Sequence, residues 1–322
     1  MANPNNVIVT GGSGLLGSSL VHQLVEGGQE HPIVMDINPD PKRLKDIMDQ
    51  IEYVRSDVAD PEALASLIGR TKPTKIYHIA AYLGDACERN QMEAVRINVN
   101  GFMHLLETAR QHNVSRVLFS SSATTYGEDL EEGEVLNDRT LQRPASFYGI
   151  TKVFAENAGR YYRRRFGLDY RGIHYPAIIG PGERVGGIVS YTSAIIEHSA
   201  RGESYTVPIS PEIRLPLVYV EDGGRALIML GNAPAENIKT VNYFINGVKD
   251  PVPTAGEMVE MVNRHIPGAR ITFDINPEWD KLLKSASHLV DDNSSVREWA
   301  WKPSYDTYDK IIDAYLQALK NE

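Results

Sequence analysis

The run Val7-Ile8-Val9-Thr10-Gly11-Gly12-Ser13-Gly14-Leu15-Leu16-Gly17 narrows the possible folds more than any other stretch of the chain. A short β-branched strand leads into it and a segment of helical period, residues 15–26, leads out. Each glycine answers a different steric demand. Gly11 permits a tight turn, Gly14 lets backbone approach a pyrophosphate, and Gly17 lets helix and strand pack closely. Ser13, Leu15 and Leu16 share that turn, where free N–H groups and the positive end of the helix dipole favour a phosphate. A glycine triplet alone is weak; strand, helix and a correctly spaced acid together make it specific. That acid is Asp36, 19 residues after Gly17 at the end of the next predicted strand. A carboxylate there accepts hydrogen bonds from ribose hydroxyls and repels a 2′-phosphate. Ile37-Asn38 offers no arginine to such a phosphate, so NAD is expected rather than NADP.

The same alternation continues through the first two-thirds of the chain. Residues 7–9, 32–37, 53–54, 75–79, 116–120 and 170–175 read as strands; residues 15–26, 61–68, 94–112 and 147–166 read as helices. Strands alternating with helices predict right-handed crossovers and a parallel sheet covered on both faces. The fold class expected is therefore α/β, a doubly wound parallel sheet with a smaller mixed α/β substrate lobe. Residues 1–176 are assigned to the dinucleotide-binding domain and residues 177–322 mainly to the substrate lobe. Residues 217–220 and 241–244 are expected to return as strands to the main sheet. A helix near 190–200 follows the glycine-rich entry at 180–187. The stretch from Thr254 to the end, with a strand at 271–273 and a helix at 307–319, is expected to form a separate small lobe. Asp57 and Val58 follow the third strand, where adenine should lie. Asp57-Val58-Ala59-Asp60-Pro61 also reads as a helix-capping turn, and both readings stand.

Composition removes several function classes. At 322 residues and 42% apolar content the chain has room for one large unit and a smaller lobe. A formal charge of −9 argues against nucleic acid or an anionic membrane as partner. Arg163-Arg164-Arg165 is read as a solvated helix face. No apolar run approaches the ~20 residues of a membrane span, and the first residues do not resemble a signal peptide. Cys87 is the only cysteine, so a reducing, cytoplasmic setting is expected. His22, His104 and His112 lack metal-ligand spacing, and no metal is expected.

The densest chemistry lies in Ser120-Ser121-Ser122-Ala123-Thr124-Thr125-Tyr126-Gly127 and Tyr148-Gly149-Ile150-Thr151-Lys152. Lys152 is four residues after Tyr148, on the same helical face. Its cation, with a positive nicotinamide ring, is expected to lower the phenol's pKa so that Tyr148 takes an alcohol proton while hydride leaves the same carbon. Ser122, at the carboxyl end of a central strand, is placed to hydrogen-bond the same oxygen. His78 and His174 are read as hydrogen-bonded strand-end histidines, and Cys87 as a packed thiol.

TGGSGLLG, the His78-Ile79-Ala80-Ala81 run, SSSATTYG and YGITK together resemble the extended short-chain dehydrogenase/reductase family, over essentially the whole chain. The resemblance implies Tyr148 as base, Lys152 as ribose anchor and Ser122 as hydroxyl partner. It sets Ala80, Ala81, Asn98, Tyr175, Pro176 and Ile178 against the cofactor, and Leu83, Ala123 and Thr124 toward a small-molecule substrate; Arg214, a cation just before the Leu215-Pro216 strand, is read either as a partner for a substrate phosphate or carboxylate or as half of a surface ion pair. It also implies a homodimer packed through the helices at 94–112 and 147–166. Ser122-Ala123-Thr124 lacks the carboxylates of the family's dehydratases. Ala177 stands where many of its epimerases carry an asparagine. Glu88, the 94–101 stretch, Phe166-Gly167-Leu168-Asp169 and 215–222 resemble the threonine 3-dehydrogenase branch. That branch's Gly-Thr-Thr is replaced here by Gly187-Ile188-Val189, and SSSATTYG is more epimerase-like. The expected activity is NAD-dependent oxidation or reduction of a small polar or sugar-derived secondary alcohol. A nucleotide-sugar 4-epimerase and a non-catalytic NAD-binding regulator are the alternatives.

Overall fold

A strand buried at every position must lie inside a sheet covered on both faces. β1 (Asn6–Thr10) is buried at all five of its residues. The computed structural model describes residues 5–320 apart from 128, 132, 183–188, 250 and 287, and places β1 near the centre. The strands that follow are β2 (His31–Asp36), β3 (Glu52–Arg55), β4 (Lys75–His78), β5 (Arg116–Ser122), β6 (Asp169–Tyr175), β7 (Ala177–Ile179), β8 (Ser204–Val207), β9 (Leu217–Tyr219), β10 (Asn242–Phe244) and β11 (Arg270–Phe273). Seven of them form one parallel sheet in the order β10-β6-β5-β4-β1-β2-β3, the expected Rossmann-like doubly wound arrangement. The order reverses between β1 and β4, and ligands of such sheets bind in the crevice outside the strand ends there.

Helices cover both faces. They are α1 (Leu15–Gly27), α2 (Pro61–Thr71), α3 (Gly84–Arg89), α4 (Gln91–Ala94), α5 (Phe102–Gln111), α6 (Phe147–Phe166), α7 (Tyr191–Ala200), α8 (Val220–Asn232), α9 (Ala255–His265), α10 (Pro277–Ala286), α11 (Asn293–Trp299) and α12 (Tyr308–Lys320). Side chains alternate across a strand, so one sequence feeds two cores. Val7, Val9, Val34 and Leu118 pack with α1 and α8. Ile8, Ile33, Ile76 and Val117 pack with α2, α5 and α6.

Three expectations need correction. Residues 217–219 do not return to the main sheet: β9 pairs with β7 in a separate two-stranded sheet, Ala177 opposite Leu217, while only β10 rejoins. Three buried apolar residues carry no signal for which sheet receives them. The helix expected at 94–112 is not continuous α-helix, because Val95–Gly101 takes π-helical turns between α4 and α5. The stretch after Thr254 also divides. α9 and α12 pack with α7 and with the parallel pair β8–β11, whereas Trp299 and Trp301 enter the core beneath α8. Among the described residues, no helix is long and apolar enough to cross a membrane, and no cluster of three His, Cys, Asp or Glu forms a metal site.

Candidate active site

The turn between β1 and α1 is shaped by backbone contact. Gly11 has φ +72°, and a Cβ there would lie 2.6 Å from Ala80 N. A Cβ on Gly17 would lie 2.1 Å from Gly11 O, closer than atoms can approach. Gly14 differs: its Cβ would meet nothing nearer than Gly11 O at 3.5 Å, so packing within the protein does not require glycine there. Asp36 closes the turn. Its Oδ2 accepts from Ser13 N (2.9 Å) and Ser13 Oγ (2.8 Å), and Oδ1 accepts from Asn38 N (3.0 Å).

Above this turn opens a cavity of about 580 Å³, within the ordinary range for a small-molecule site. Its wall includes Gly11, Ser13, Gly14, Leu15, Leu16, Gly17 and Asp36. Asp57, Val58, Ala80, Ala81 and Leu83 join them, as do Ser122, Tyr148, Lys152, Tyr175, Pro176 and Ile178. The sequence-expected cofactor and catalytic residues therefore share one space, apart from Asn98. A glycine cradle at a helix N-terminus beside a fixed carboxylate fits a dinucleotide. Asp57 lines the cavity and its Oδ1 accepts from Ala59 N at 2.8 Å, while the cap of α2 is Asp60, whose side chain accepts from Glu62 N and Ala63 N.

Four expected residues lie elsewhere. Asn98 is turned inward within the π-helical segment, where Nδ2 donates to Tyr82 O (2.9 Å) and Thr151 Oγ1 (3.1 Å) while Oδ1 accepts from Tyr82 N (2.7 Å). It shapes the 80–83 loop and has no place on the cavity wall. Ala123 and Thr124 are also off the wall. Thr124 instead donates to Ser122 Oγ from its N (3.2 Å) and its Oγ1 (2.9 Å). Arg214 pairs with Glu257 at 3.6 Å and bridges Thr254, outside the cavity. Gly187 and Ile188 fall outside the described residues. Arg96 was missed from the sequence: it lines the cavity, held by Asp57 (2.8 Å) and Glu93 (2.7 Å). Only the Glu93-Arg96 spacing of three, common on helices, hinted at it.

The first two turns of α6 carry Tyr148 and Lys152, the pair expected to be catalytic. Ser146 caps it by accepting from Gly149 N (3.0 Å), and Glu88 accepts from Phe147 N (2.7 Å). A Cβ on Gly149 would sit 2.1 Å from Thr124 O, so glycine lets this turn press against the 123–125 turn. Tyr148 and Ser122 thereby come to one wall. Lys152 is buried, donates from Nζ to Ser120 O (2.7 Å) and lies over the Phe119 and Tyr148 rings at 4.6 and 5.3 Å. Burial lowers its pKa to about 8, with Glu156 and then Cys87 opposing. Burial pushes the Tyr148 phenol well above its ordinary value, and Cys87 adds to the rise. The expected acidification of Tyr148 by Lys152 is thus not present in the protein by itself.

Nearby groups are quiet. Burial, then Lys152, takes His78 down to about 3, so it is neutral and bonds Thr10 Oγ1 at 2.8 Å. Cys87 is buried, donates to Tyr82 O (3.0 Å) and is pushed by burial up to about 11, a thiol and no nucleophile. His174 pairs with Glu156 in the interior, as a strand-end histidine should.

Known proteins bear on this geometry. The profile of the NAD dependent epimerase/dehydratase family matches residues 7–245. The mitochondrial L-threonine 3-dehydrogenase of Bos taurus is 29% identical over 307 residues, covering 95% of this chain and 80% of that protein. Among solved structures, a GalE-like L-threonine dehydrogenase from Cupriavidus necator (holo form) superposes with a TM-score of 0.89 at 26% identity, covering 98% of this chain and 99% of that one. A monomeric L-threonine 3-dehydrogenase from a metagenome (apo form) superposes with a TM-score of 0.87 at 25% identity, covering 98% and 99%.

Proposed function

The chain belongs to the NAD-dependent epimerase/dehydratase family and is an NAD-dependent dehydrogenase or epimerase; from that premise we propose that it oxidises the secondary alcohol of a small polar or sugar-derived substrate, in the manner of an L-threonine 3-dehydrogenase, through Ser122, Tyr148 and Lys152. The observation that carries this reading is the shared cavity: those three residues line the space that the glycine turn and Asp36 also line. The extended similarity to threonine dehydrogenases of known structure supports the amino-alcohol class first.

NAD, when bound, supplies the hydride acceptor. The chain's own residues handle the proton and the oxygen. Ser122 Oγ accepts both Thr124 hydrogens, which leaves its own O–H as a donor toward the substrate oxygen. Tyr148 takes the hydroxyl proton. Because burial raises its phenol, a positive charge arriving with the cofactor would be needed for Tyr148 to shed its own proton and become the phenolate that accepts the substrate's. Lys152, held by Ser120 O, presents an ammonium beside the same ring.

A homodimer in the cytoplasm belongs to the same reading. Ile150, Phe154, Tyr161 and Phe166 expose apolar surface along α6, suited to a second copy; a monomeric mass by light scattering would remove that part. For activity, the purified protein with NAD is offered L-threonine, related hydroxy acids, sugars and UDP-sugars while NADH absorbance is followed. Net NADH formation supports the dehydrogenase. Sugar interconversion without NADH supports an epimerase, and neither outcome across the panel overturns both.

A further inference from the structure

Behind Lys152 lies a buried carboxylate that none of the steps above uses. Glu156 follows Lys152 by four residues, the spacing that sets two side chains on one helix face. It is only 2% exposed. Every polar neighbour of its two oxygens can donate to them. Ser121 Oγ and His174 Nε2 (2.9 Å) meet Oε1; Gln142 Nε2 (2.8 Å), His174 Nε2 (3.0 Å) and Asn242 Nδ2 (3.1 Å) meet Oε2. Gln142 and Asn242 can only donate from these nitrogens, and Ser121 and His174 can donate as well, so the pocket suits the ionised form. Burial pushes Glu156 up, but His174 and the hydrogen bonds outweigh it and leave the group below its ordinary value.

The remaining charges around the two residues are limited. Facing Glu156 are His174 on β6 and the burial-raised phenols of Tyr126 and Tyr170; Arg160 acts on both phenols and Asp138 on Tyr126. Facing Lys152 are Tyr148 on α6, neutral His78 on β4 and the Cys87 thiol on α3. Glu88 lies beside Cys87 and is engaged with Phe147 N. His174 turns Nε2 to Glu156, while its buried Nδ1 has no partner.

We infer that Glu156 is a positioning residue for the site: from the core it keeps the Lys152 ammonium charged, and through Ser121 and His174 it fixes the strand end that carries Ser120 and Ser122. The inference rests on reading Lys152 as the site's cation. Ser121 lies between the residue whose carbonyl holds Lys152 and the residue whose hydroxyl faces the cavity, and it stands opposite His174 in the β5–β6 register. Period-two alternation sends Ser121 to the Glu156 side and its neighbours to the other. Burial already draws Lys152 down to about 8, and Glu156 is the largest influence acting upward. The ammonium is present below that pH and lost above it, so removing Glu156 makes it disappear at lower pH.

The test uses the intact protein without substrate, labelled with ¹³C at the lysine ε-carbons, Lys152 being assigned by its absence in Lys152→Met. In Glu156→Gln the Lys152 titration midpoint should fall by roughly one pH unit or more, the size expected for loss of one nearby opposite charge. Glu156→Asp should restore most of it. Should Glu156→Gln not fold, coupling is reciprocal. Lys152→Met, labelled at glutamate carboxyls, should then raise the pH at which Glu156 takes its proton. An unmoved midpoint in either folded variant overturns the inference. Normal coupling alongside full turnover of Lys152→Met would instead defeat the proposed function alone. In a pH–rate profile, Glu156→Gln should bring the alkaline limb to lower pH. A uniform loss at every pH would mean that Glu156 only stiffens the strand.

Discussion

The two walls of the cavity are built from different materials. On the β1–α1 wall the decisive groups are backbone: Gly11 and Gly17 are required because any side chain would collide with Ala80 N or Gly11 O. On the β5–α6 wall they are side chains, Ser122, Tyr148 and Lys152; Thr124, outside the lining, holds the Ser122 hydroxyl, and the Ser120 carbonyl holds Lys152. A backbone wall binds through shape and free N–H groups, and a side-chain wall supplies chemistry. Changes on the first should therefore cost affinity or stability, and changes on the second should cost rate.

The largest expected effect falls on the side-chain wall. Tyr148→Phe should lower turnover by about 10²–10⁴-fold, the usual contribution of a positioned acid/base group, with NAD affinity nearly unchanged by fluorescence titration. Equal losses in both would erase the distinction between the walls. Next comes Asp36→Ala, which removes the acceptor for Ser13 N and Oγ and, by the cofactor reading, for ribose. Hydrogen bonds to charged groups are worth about 1.5–3 kcal/mol, so NAD binding should weaken by roughly ten- to a hundredfold, and NADP should be less strongly rejected. Unaltered NAD affinity would take Asp36 off the ribose.

A paired glycine experiment sharpens the backbone side. Gly17→Ala must displace Gly11 O, and overpacking of this kind costs about 1–3 kcal/mol, so its thermal midpoint should fall by several degrees. Gly14→Ala has room within the protein and should leave the midpoint nearly in place while weakening NAD. If Gly14→Ala melts early and binds normally, the space above Gly14 is not where the pyrophosphate lies.

This division also explains what could be read before the fold was known. Gly11, Gly17 and Asp36 are legible because backbone sterics and a fixed spacing leave few alternatives, and the parallel doubly wound sheet follows from the alternation they begin. Tyr148, Lys152 and Ser122 are legible by type and spacing. Their supports are not. Asn98 looked like a cofactor contact, yet the π-helical widening turns its amide onto Tyr82 and Thr151, and no local pattern announces such a turn. Leu217-Val218-Tyr219 had the composition of a strand but no mark of its partner, because the pairing with β7 joins residues some forty positions apart, with Ala177 N donating to Pro216 O. Arg214 drew attention as a cation near a strand, and only packing set it on Glu257. Long-range contacts decide such cases, and they leave little trace in a local window.

The smallest effect gives the most specific check on the side-chain wall, because it tests a residue outside the cavity. Thr124 supplies two hydrogens to Ser122 Oγ, which leaves the serine's own proton for the substrate oxygen that the proposed function sets beside it. Thr124→Val removes the side-chain donor, keeps the shape and leaves the backbone N–H in place. Losing one neutral hydrogen bond is worth about 0.5–1.5 kcal/mol, so kcat should drop by roughly two- to tenfold with KM for NAD unchanged. Ser122→Ala should cost more, and the double variant should cost no more than Ser122→Ala alone, because Thr124 acts only through that hydroxyl. Additive losses would show that Thr124 reaches the substrate directly, and the division between groups that react and groups that aim them would fail at this residue.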